Sequence, residues 1–127
     1  MINLNNFSEF DELNTTVVHI DTNDNREEIK KFIATCIDGE YDKLGGVHNN
    51  ILNIDITKND YYDREKIDPT DLDTYTYFPY RIELGPKDEG VGKESFVESV
   101  RELLEKLKSG GFRPALSAYF EDEIPGY

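Results

Sequence analysis

The chain has 127 residues, of which 37% are hydrophobic, and 27 acidic residues outweigh 14 basic ones to give a formal net charge of −13. This length suits one domain with a sizeable core, and the periodic apolar segments described below exclude a wholly disordered chain. The negative charge disfavours DNA, RNA and anionic membranes as partners, because phosphate groups would be repelled.

The single cysteine and the N-terminal segment indicate a cytoplasmic protein. Cys36 is the only cysteine, so no internal disulfide or multi-cysteine zinc site is predicted, and one cysteine fits a reducing compartment. Residues 1–13 have neither a basic start nor a long apolar stretch, and therefore no secretory signal is predicted. No apolar stretch approaches the ~20 residues that span a bilayer.

The first half of the chain predicts a strand, a helix and a second strand. Residues 16–21 (TVVHID) are rich in β-branched residues, which favour a strand. Residues 22–40 carry apolar side chains at helical spacing, with Asn23 or Asn25 as the N-cap. The apolar stripe of this helix consists of Ile29, Phe32, Ile33, Cys36 and Ile37, and Gly39 is expected to end it. Residues 50–57 (NILNIDIT) alternate apolar and polar side chains, as in a half-buried strand.

The second half repeats the pattern after a long connection. Residues 58–76 are acidic and tyrosine-rich and show no regular period. Residues 77–84 (YFPYRIEL) alternate again, and Pro79 places them at an edge, a bulge or the start of a strand. Residues 93–111 form the strongest amphipathic helix, and residues 112–120 (FRPALSAYF) predict the last strand.

The order strand, helix, strand, strand, helix, strand predicts a single α+β domain over residues 1–127. We expect a ferredoxin-like split βαβ arrangement (βαββαβ), with a four-stranded sheet and two helices on one face. The other face would carry polar and aromatic residues, namely His19, Asn53, Asp55, Tyr77, Arg81, Glu83, Ser117 and Tyr119. Either this face binds a ligand, or it is covered by a second subunit or by an N-terminal segment that contains Leu4, Phe7, Phe10 and Leu13.

No complete catalytic or cofactor motif is present. The stretch GVGKES at residues 90–95 lacks the first glycine and the Ser/Thr position of a phosphate-binding loop. The acid clusters at residues 68–73 and 121–123 match no coordination spacing, so neither a metal nor a cofactor is predicted. His19 has no nucleophile with a local signature beside it, and Cys36 falls on an apolar helix stripe. We therefore predict no enzymatic activity.

Residues 50–125 resemble a group of small, mostly uncharacterised bacterial proteins. The group shares an Asn-x-x-Tyr/Phe-Asp segment, a Phe-Pro-Tyr/Arg-Tyr strand and a closing Cys-Asp-Phe-Glu-Asp-Glu-Leu-Pro motif. The matching residues here are Asn59, Tyr62, Asp63, Phe78, Pro79, Tyr80, Glu83, Phe120, Glu121, Asp122, Glu123, Ile124 and Pro125. Ala118 and Tyr119 stand where the group has Cys-Asp. The resemblance supplies no established activity, but it implies that the terminal acids share a surface with the third strand and the connection.

These features predict an acidic protein-binding module. Its concrete form is an immunity or inhibitor-type protein that neutralises a basic bacterial partner such as a toxin, because carboxylates steer a basic partner and tyrosines supply contact area. The predicted binding residues are Asp60, Tyr61, Tyr62, Asp63, Asp71, Asp73, Tyr75, Glu121, Asp122 and Glu123.

Two other functions stay open at this point. One is a small enzyme or ligand sensor that uses the open sheet face, with His19, Tyr77, Arg81, Glu83 and Tyr119 as its site. The other is a nucleic-acid mimic, which requires carboxylates at phosphate-like spacing on one surface. A homodimer that forms through the open face is also compatible with the pattern.

Overall fold

The described part of the chain, residues 9–42 and 45–127 of a computed structural model, forms an α+β fold around one antiparallel sheet. The helices are α1 (Glu9–Leu13), α2 (Arg26–Cys36) and α3 (Lys93–Ser109). The strands are β1 (Thr16–Asp21), β2 (Glu40–Tyr41), β3 (Val47–His48), β4 (Leu52–Lys58), β5 (Tyr80–Pro86) and β6 (Arg113–Ser117). Short 3₁₀ helices cover Arg64–Lys66, Leu72–Tyr77 and Glu121–Glu123.

The sheet has six strands in the order β2-β3-β4-β5-β1-β6, and every neighbouring pair is antiparallel. The α+β class is therefore confirmed, whereas the prediction of four strands is wrong. The four predicted strands lie side by side as β4, β5, β1 and β6, and the two additional strands extend the sheet beyond β4. Because β2 and β3 have only two residues each, they are too short to produce an alternating pattern in the sequence.

The β2–β3 hairpin is held to the rest of the molecule by a glycine and a lysine. A Cβ atom on Gly46 would lie 2.0 Å from the carbonyl oxygen of Ile54, so only glycine allows β3 to approach β4 this closely. The Lys30 side chain of α2 is fully buried, and its Nζ donates a hydrogen bond to the carbonyl oxygen of Asp42. Gly46 thus allows the hairpin to pack closely against β4, and Lys30 attaches it to α2.

Helix α2 begins with a capping box. Asn25 Oδ1 accepts a hydrogen bond from the Glu28 backbone N–H at 2.9 Å, and Glu28 Oε1 accepts one from the Asn25 N–H at 3.3 Å. Asn25, one of the two predicted caps, is thus the N-cap. At the other end Asp38 adopts the left-handed conformation (φ 49°) in place of the predicted Gly39.

Helix α3 receives its N-terminal cap from a distant residue. Its N-cap is Gly92, which has no side chain, and the Lys93 backbone N–H instead donates to Glu9 Oε1 at 3.1 Å. The helix ends at Ser109, and Gly110 is its C-cap. Because α1 supplies this carboxylate, the cap also fixes α1 against the start of α3.

The helices cover one face of the sheet and enclose the main core. Both α1 and α2 contact α3, and the inward side chains of the strands pack beneath them. The most deeply buried core residues are Ile20, Ile29, Ile33, Leu52, Ile56, Ile82, Phe96, Val100, Leu104 and Leu107. This burial of apolar surface is the main stabilising term for the fold.

The predicted N-terminal cover of the second face is not supported by the described residues. Leu4 and Phe7 lie outside them. Leu13 is buried in the main core, and α1 packs against α3 and β5. The second face of the sheet is covered instead, over β1 and β6, by the segment between β4 and β5. Within residues 9–42 and 45–127, no helix has the length and apolar character needed to cross a membrane.

Candidate functional site

The long connection, which we define as residues 59–79, is closed at its base by a buried asparagine. Asn59 Nδ2 donates to the carbonyl oxygens of Thr76 at 2.7 Å and Phe78 at 2.8 Å, and Asn59 Oδ1 accepts from the Tyr61 N–H at 3.1 Å. The Asn59 backbone N–H donates to the Pro79 carbonyl oxygen at 2.9 Å. One side chain therefore joins both ends of the long connection.

Carboxylates order the backbone inside the long connection. Asp63 Oδ1 accepts from the Glu65 N–H at 3.1 Å, and Asp71 Oδ1 accepts from the Asp73 N–H at 2.9 Å, so each caps a short 3₁₀ helix. The backbone N–H and the hydroxyl of Thr70 both donate to Asp68 Oδ1 at 2.8 Å, and they hold the pKa of Asp68 below its ordinary value. The segment without a sequence period is therefore built from local turns.

The underside of the long connection packs on the second face of the sheet. Phe78 is fully buried outside the main core cluster, and the guanidinium of Arg113 lies 5.1 Å from its ring centroid. The Tyr75 ring lies 5.2 Å from the imidazole of His19 on β1. These contacts seat the long connection over the β1 and β6 half of the sheet.

An ion pair holds the outer part of the long connection to the end of β1. Arg64 Nη2 lies 2.8 Å from Asp21 Oδ1, and Arg64 Nη1 donates to Asp21 Oδ2 at 3.1 Å, which is a two-point contact. The hydrogen bonds to Asp21 and to the Tyr62 hydroxyl raise the pKa of the guanidinium. The Tyr62 ring also lies under this guanidinium, at 5.5 Å.

The outward side of the long connection carries acids and tyrosines. Tyr61 is 77% exposed and Tyr62 is 46% exposed. We define the acidic surface as the exposed tyrosines and acids Asp60, Tyr61, Tyr62, Glu65, Asp68, Asp71 and Asp73. Two other predicted binding residues are partly buried, because Asp63 caps a turn and Tyr75 faces His19.

The C-terminal acids lie at the opposite end of β6. The strand begins at Arg113, beside Asp21 and the long connection, and ends at Ser117, beside Val17. Beyond it, Glu123 Oε2 lies 3.1 Å from Lys93 Nζ, and Arg101 donates to the Glu123 carbonyl oxygen at 2.9 Å. The sequence predicts that Glu121, Asp122 and Glu123 share a surface with the long connection. The structure does not bring these three acids together with the acidic surface.

Anchoring side chains explain why the C-terminal segment sits there. Phe120 and Ile124 are buried in the main core, and Phe120 meets the Phe96 ring edge-on at 5.8 Å. Leu116 N–H donates to the Tyr127 carbonyl oxygen at 3.1 Å, which satisfies part of the outer edge of β6. The motif that contains the three acids is thus attached through its apolar positions.

The residues of the alternative open-face site are not gathered into one site. His19 and Arg81 are directly opposite each other on β1 and β5, and Arg81 Nε lies 3.3 Å from Glu83 Oε1. His19 is only 8% exposed, and burial, followed by the charge of Arg81, lowers its pKa. Tyr77 lies under Lys66 within the long connection, and Tyr119 is 67% exposed beyond the end of β6.

Several residues that position the acidic surface were absent from the predicted binding set. Asn59 was noticed only through the resemblance, although an asparagine directly after a strand is a common turn signal. Arg113 and Phe78 were assigned to strands, so their contact with each other had no sequence signal. His19 Nδ1 and Arg113 Nη1 are buried without a hydrogen-bond partner among the described residues.

The described residues offer little for metal or thiol chemistry. Within residues 9–42 and 45–127, no three His, Cys, Asp or Glu side chains are close enough to hold a metal ion together. Burial raises the pKa of the Cys36 thiol, although Lys106 acts against this, and the protonated thiol is the less reactive form. No protein-family model matches the chain, and comparisons with curated proteins and with solved structures found no significant similarity.

Proposed function

We propose that the protein is an acidic binding module that engages a basic partner protein through the acidic surface. The observation that carries this proposal is that the exposed tyrosines and carboxylates lie on a backbone held in place at two points. The Asn59 hydrogen bonds hold its base, and the Arg64–Asp21 ion pair holds its outer part. A surface ordered before binding loses less conformational entropy when the partner arrives. The exposed Tyr61 and Tyr62 rings offer the contact area that interface anchors require.

Charge supports a basic partner over other classes. The long connection contains six carboxylates against Arg64 and Lys66, and the whole chain has a formal charge of −13. Opposite charge accelerates association and fixes orientation, whereas nucleic acids would be repelled. In its concrete form, the proposal is an immunity or inhibitor-type protein in the cytoplasm that neutralises a cationic toxin, without catalysis of its own.

Capture of the partner at two salt concentrations tests this proposal. The immobilised protein should retain a basic protein from a lysate of its source, or the product of a neighbouring gene, in low salt. Retention should fall steeply between about 50 and 300 mM salt, because exposed charges are screened within roughly 10 Å at 0.1 M. Coexpression with the captured protein should relieve any toxicity. Retention that is insensitive to salt would contradict an electrostatic mechanism.

The nucleic-acid mimic is the second candidate, and it predicts a different partner. A mimic would compete with DNA for a DNA-binding protein, so added duplex DNA would release the captured protein. Displacement by DNA would favour the mimic, whereas retention in its presence would favour the inhibitor. The open-face enzyme has less support, because Tyr75 covers His19.

We also propose that β1, β4, β5 and β6 with α2 and α3 form a ferredoxin-like core. The support is their order in the sheet, in which the first strand along the chain lies between the third and the fourth. On this proposal, β2 and β3 are an addition at one edge.

A further inference from the structure

A polar pocket lies on the half of the second sheet face that the long connection leaves uncovered. Its volume is about 350 Å³, and its floor includes the backbone at Gly46 and Gly85. We define the polar pocket by its five polar lining residues, which are Asn14, His48, Asn53, Asp55 and Glu83. None of them belongs to the acidic surface.

Two carboxylates in the lining of this pocket are direct neighbours on adjacent strands. Asp55 on β4 and Glu83 on β5 are directly opposite in the strand register, and both are exposed. Like charges at directly opposed positions destabilise an antiparallel pair. The opposed charges are unfavourable by themselves, and Arg26 and Arg81, each of which is paired with one of the two carboxylates, offset part of the repulsion. A cation placed between the two side chains would offset more of it.

The arginines beside the two carboxylates contact one oxygen of each. Arg26 Nη2 lies 3.8 Å from Asp55 Oδ1, and Arg81 Nε lies 3.3 Å from Glu83 Oε1. In the strand register Arg81 is opposite Thr57, and Asn53 is opposite Gly85. Arg81 and the Asn53–Gly85 pair therefore lie on opposite sides of the two carboxylates. Among the described residues, no hydrogen bond reaches Asp55 Oδ2 or Glu83 Oε2. Each carboxylate thus keeps one acceptor for a ligand.

The rest of the polar pocket adds further acceptors. The side-chain N–H of Asn14 donates to the Phe10 carbonyl oxygen at 3.0 Å, so its Oδ1 is the atom turned toward Gly85. The side chains of His48 and Asn53 make no hydrogen bond with any residue in the described ranges. The two carboxylates and Asn14 therefore present acceptor oxygens to the pocket, which suits a ligand with several N–H groups, and the His48 and Asn53 side chains can each donate or accept.

We propose that the polar pocket binds a guanidinium group between Asp55 and Glu83. A planar guanidinium offers five N–H donors and pairs with carboxylates through parallel hydrogen bonds. A hard metal ion fits less well, because the described residues near the pocket supply no third charged or imidazole ligand in reach. The guanidinium belongs either to a free small molecule or to an arginine side chain of a polypeptide.

Titration with agmatine, followed by amide chemical shifts of the full chain, tests this inference. We expect saturable shifts confined to the amides around Asn53, Asp55, Glu83 and Gly85. Glu83→Gln removes one charged acceptor and should weaken binding about tenfold. The matched control Glu89→Gln makes the same charge change in an exposed loop and should change the affinity less than twofold.

Further ligands distinguish the possible sources of the guanidinium group, and a second variant covers the case in which Glu83→Gln does not fold. Tetramethylammonium carries no N–H donor and should produce no saturable shift at the same ionic strength. Tighter binding of acetyl-Gly-Arg-Gly-amide than of agmatine would assign the site to an arginine side chain, and the reverse would assign it to a small molecule. If Glu83→Gln fails to fold, Asp55→Asn provides the same comparison.

Three results would overturn the inference. These are shifts that do not saturate, equal weakening by Glu83→Gln and Glu89→Gln, and saturation of the same amides by magnesium chloride. Agmatine binding should be unchanged by Asp60→Asn, which lies on the acidic surface. Failure of the guanidinium site and failure of the proposed partner surface are therefore distinguishable.

Discussion

The long connection and the C-terminal segment are both rich in carboxylates, yet the fold uses them differently. In the long connection, the Asn59 side chain, the buried ring of Phe78 and the Arg64–Asp21 ion pair hold the backbone, while most acids are exposed. In the C-terminal segment, Phe120 and Ile124 enter the main core, and Glu123 contacts the start of α3. A cluster of acids in a sequence therefore has no single meaning, because the anchoring residues around it decide what it faces.

The largest expected effect is the loss of the C-terminal anchor. Phe120→Ala should lower the free energy of unfolding by about 3–5 kcal/mol, because it leaves a cavity beside Phe96 in the main core. Chemical denaturation measures the change. Tyr61→Ala, in which an exposed ring is removed, is the control and should change stability by at most about 0.5 kcal/mol. Similar losses for the two variants would mean that the C-terminal segment is not anchored as described.

Removal of the Asn59 side chain, which joins both ends of the long connection, should open this segment at a smaller cost in stability. Asn59→Ala leaves the carbonyl groups of Thr76 and Phe78 without their donor and should cost about 2 kcal/mol. Hydrogen exchange should accelerate at the amides of Tyr62 and Asp63. Asn53→Ala is the matched control, since the Asn53 side chain is exposed and makes no hydrogen bond within the described residues. Unchanged exchange in Asn59→Ala would show that the Asn59 side chain does not hold the long connection closed.

Acid should weaken the packing under the long connection through His19. Because burial lowers the pKa of His19 in the folded state, the unfolded chain binds this proton more readily. The contribution of His19 is complete above the ordinary value of 6.5 and is lost as pH falls from there through the lowered folded pKa. The slope is at most about 1.4 kcal/mol per pH unit for one proton.

A pair of histidine variants checks this dependence. His19→Gln should flatten the fall in unfolding free energy below pH 6.5, measured by denaturation at several pH values. His48→Gln, at a part-exposed position in the polar pocket, should leave the slope unchanged. If the two variants have the same slope as the parent chain, His19 is not the group responsible.

The smallest expected effect is that of the exposed ion pair at the C-terminal segment. Glu123→Gln should lower stability by about 0.5 kcal/mol or less, because both Lys93 and Glu123 are about half exposed in their side chains. Thermal unfolding at low and high salt provides the measurement. A loss comparable with that of Phe120→Ala would show that charge, and not apolar burial, holds this segment.

The sequence predicted the elements whose signals are local and missed those that depend on distant contacts. Alternation in residues 50–57 and the apolar stripe of residues 93–111 identified β4 and α3. The prediction extended the third strand back to Tyr77, where a 3₁₀ helix is found, and the last strand out to Phe120. An alternating pattern does not reveal where the chain leaves the sheet.

The placement of the candidate site was less predictable than the elements. Its exposed acids and tyrosines were evident from composition, but the contacts of Arg64 with Asp21 and of Tyr75 with His19 join residues far apart in the chain. The cap of α3 by Glu9 is another such contact. The position of the C-terminal acids followed from the direction of β6, which only the strand pairing established.

Two variants of equal charge test most directly whether the acidic surface, and not the net charge, binds the basic partner. One replaces Asp60, Asp71 and Asp73 by asparagine, which can still cap the turn at position 71, and the other makes Glu121→Gln, Asp122→Asn and Glu123→Gln. Each immobilised variant is compared with the parent chain for its affinity toward the captured basic protein at a fixed salt concentration. We expect the first variant to lose at least tenfold in affinity and the second to stay within about twofold. Equal losses, or a greater loss in the second, would contradict the account.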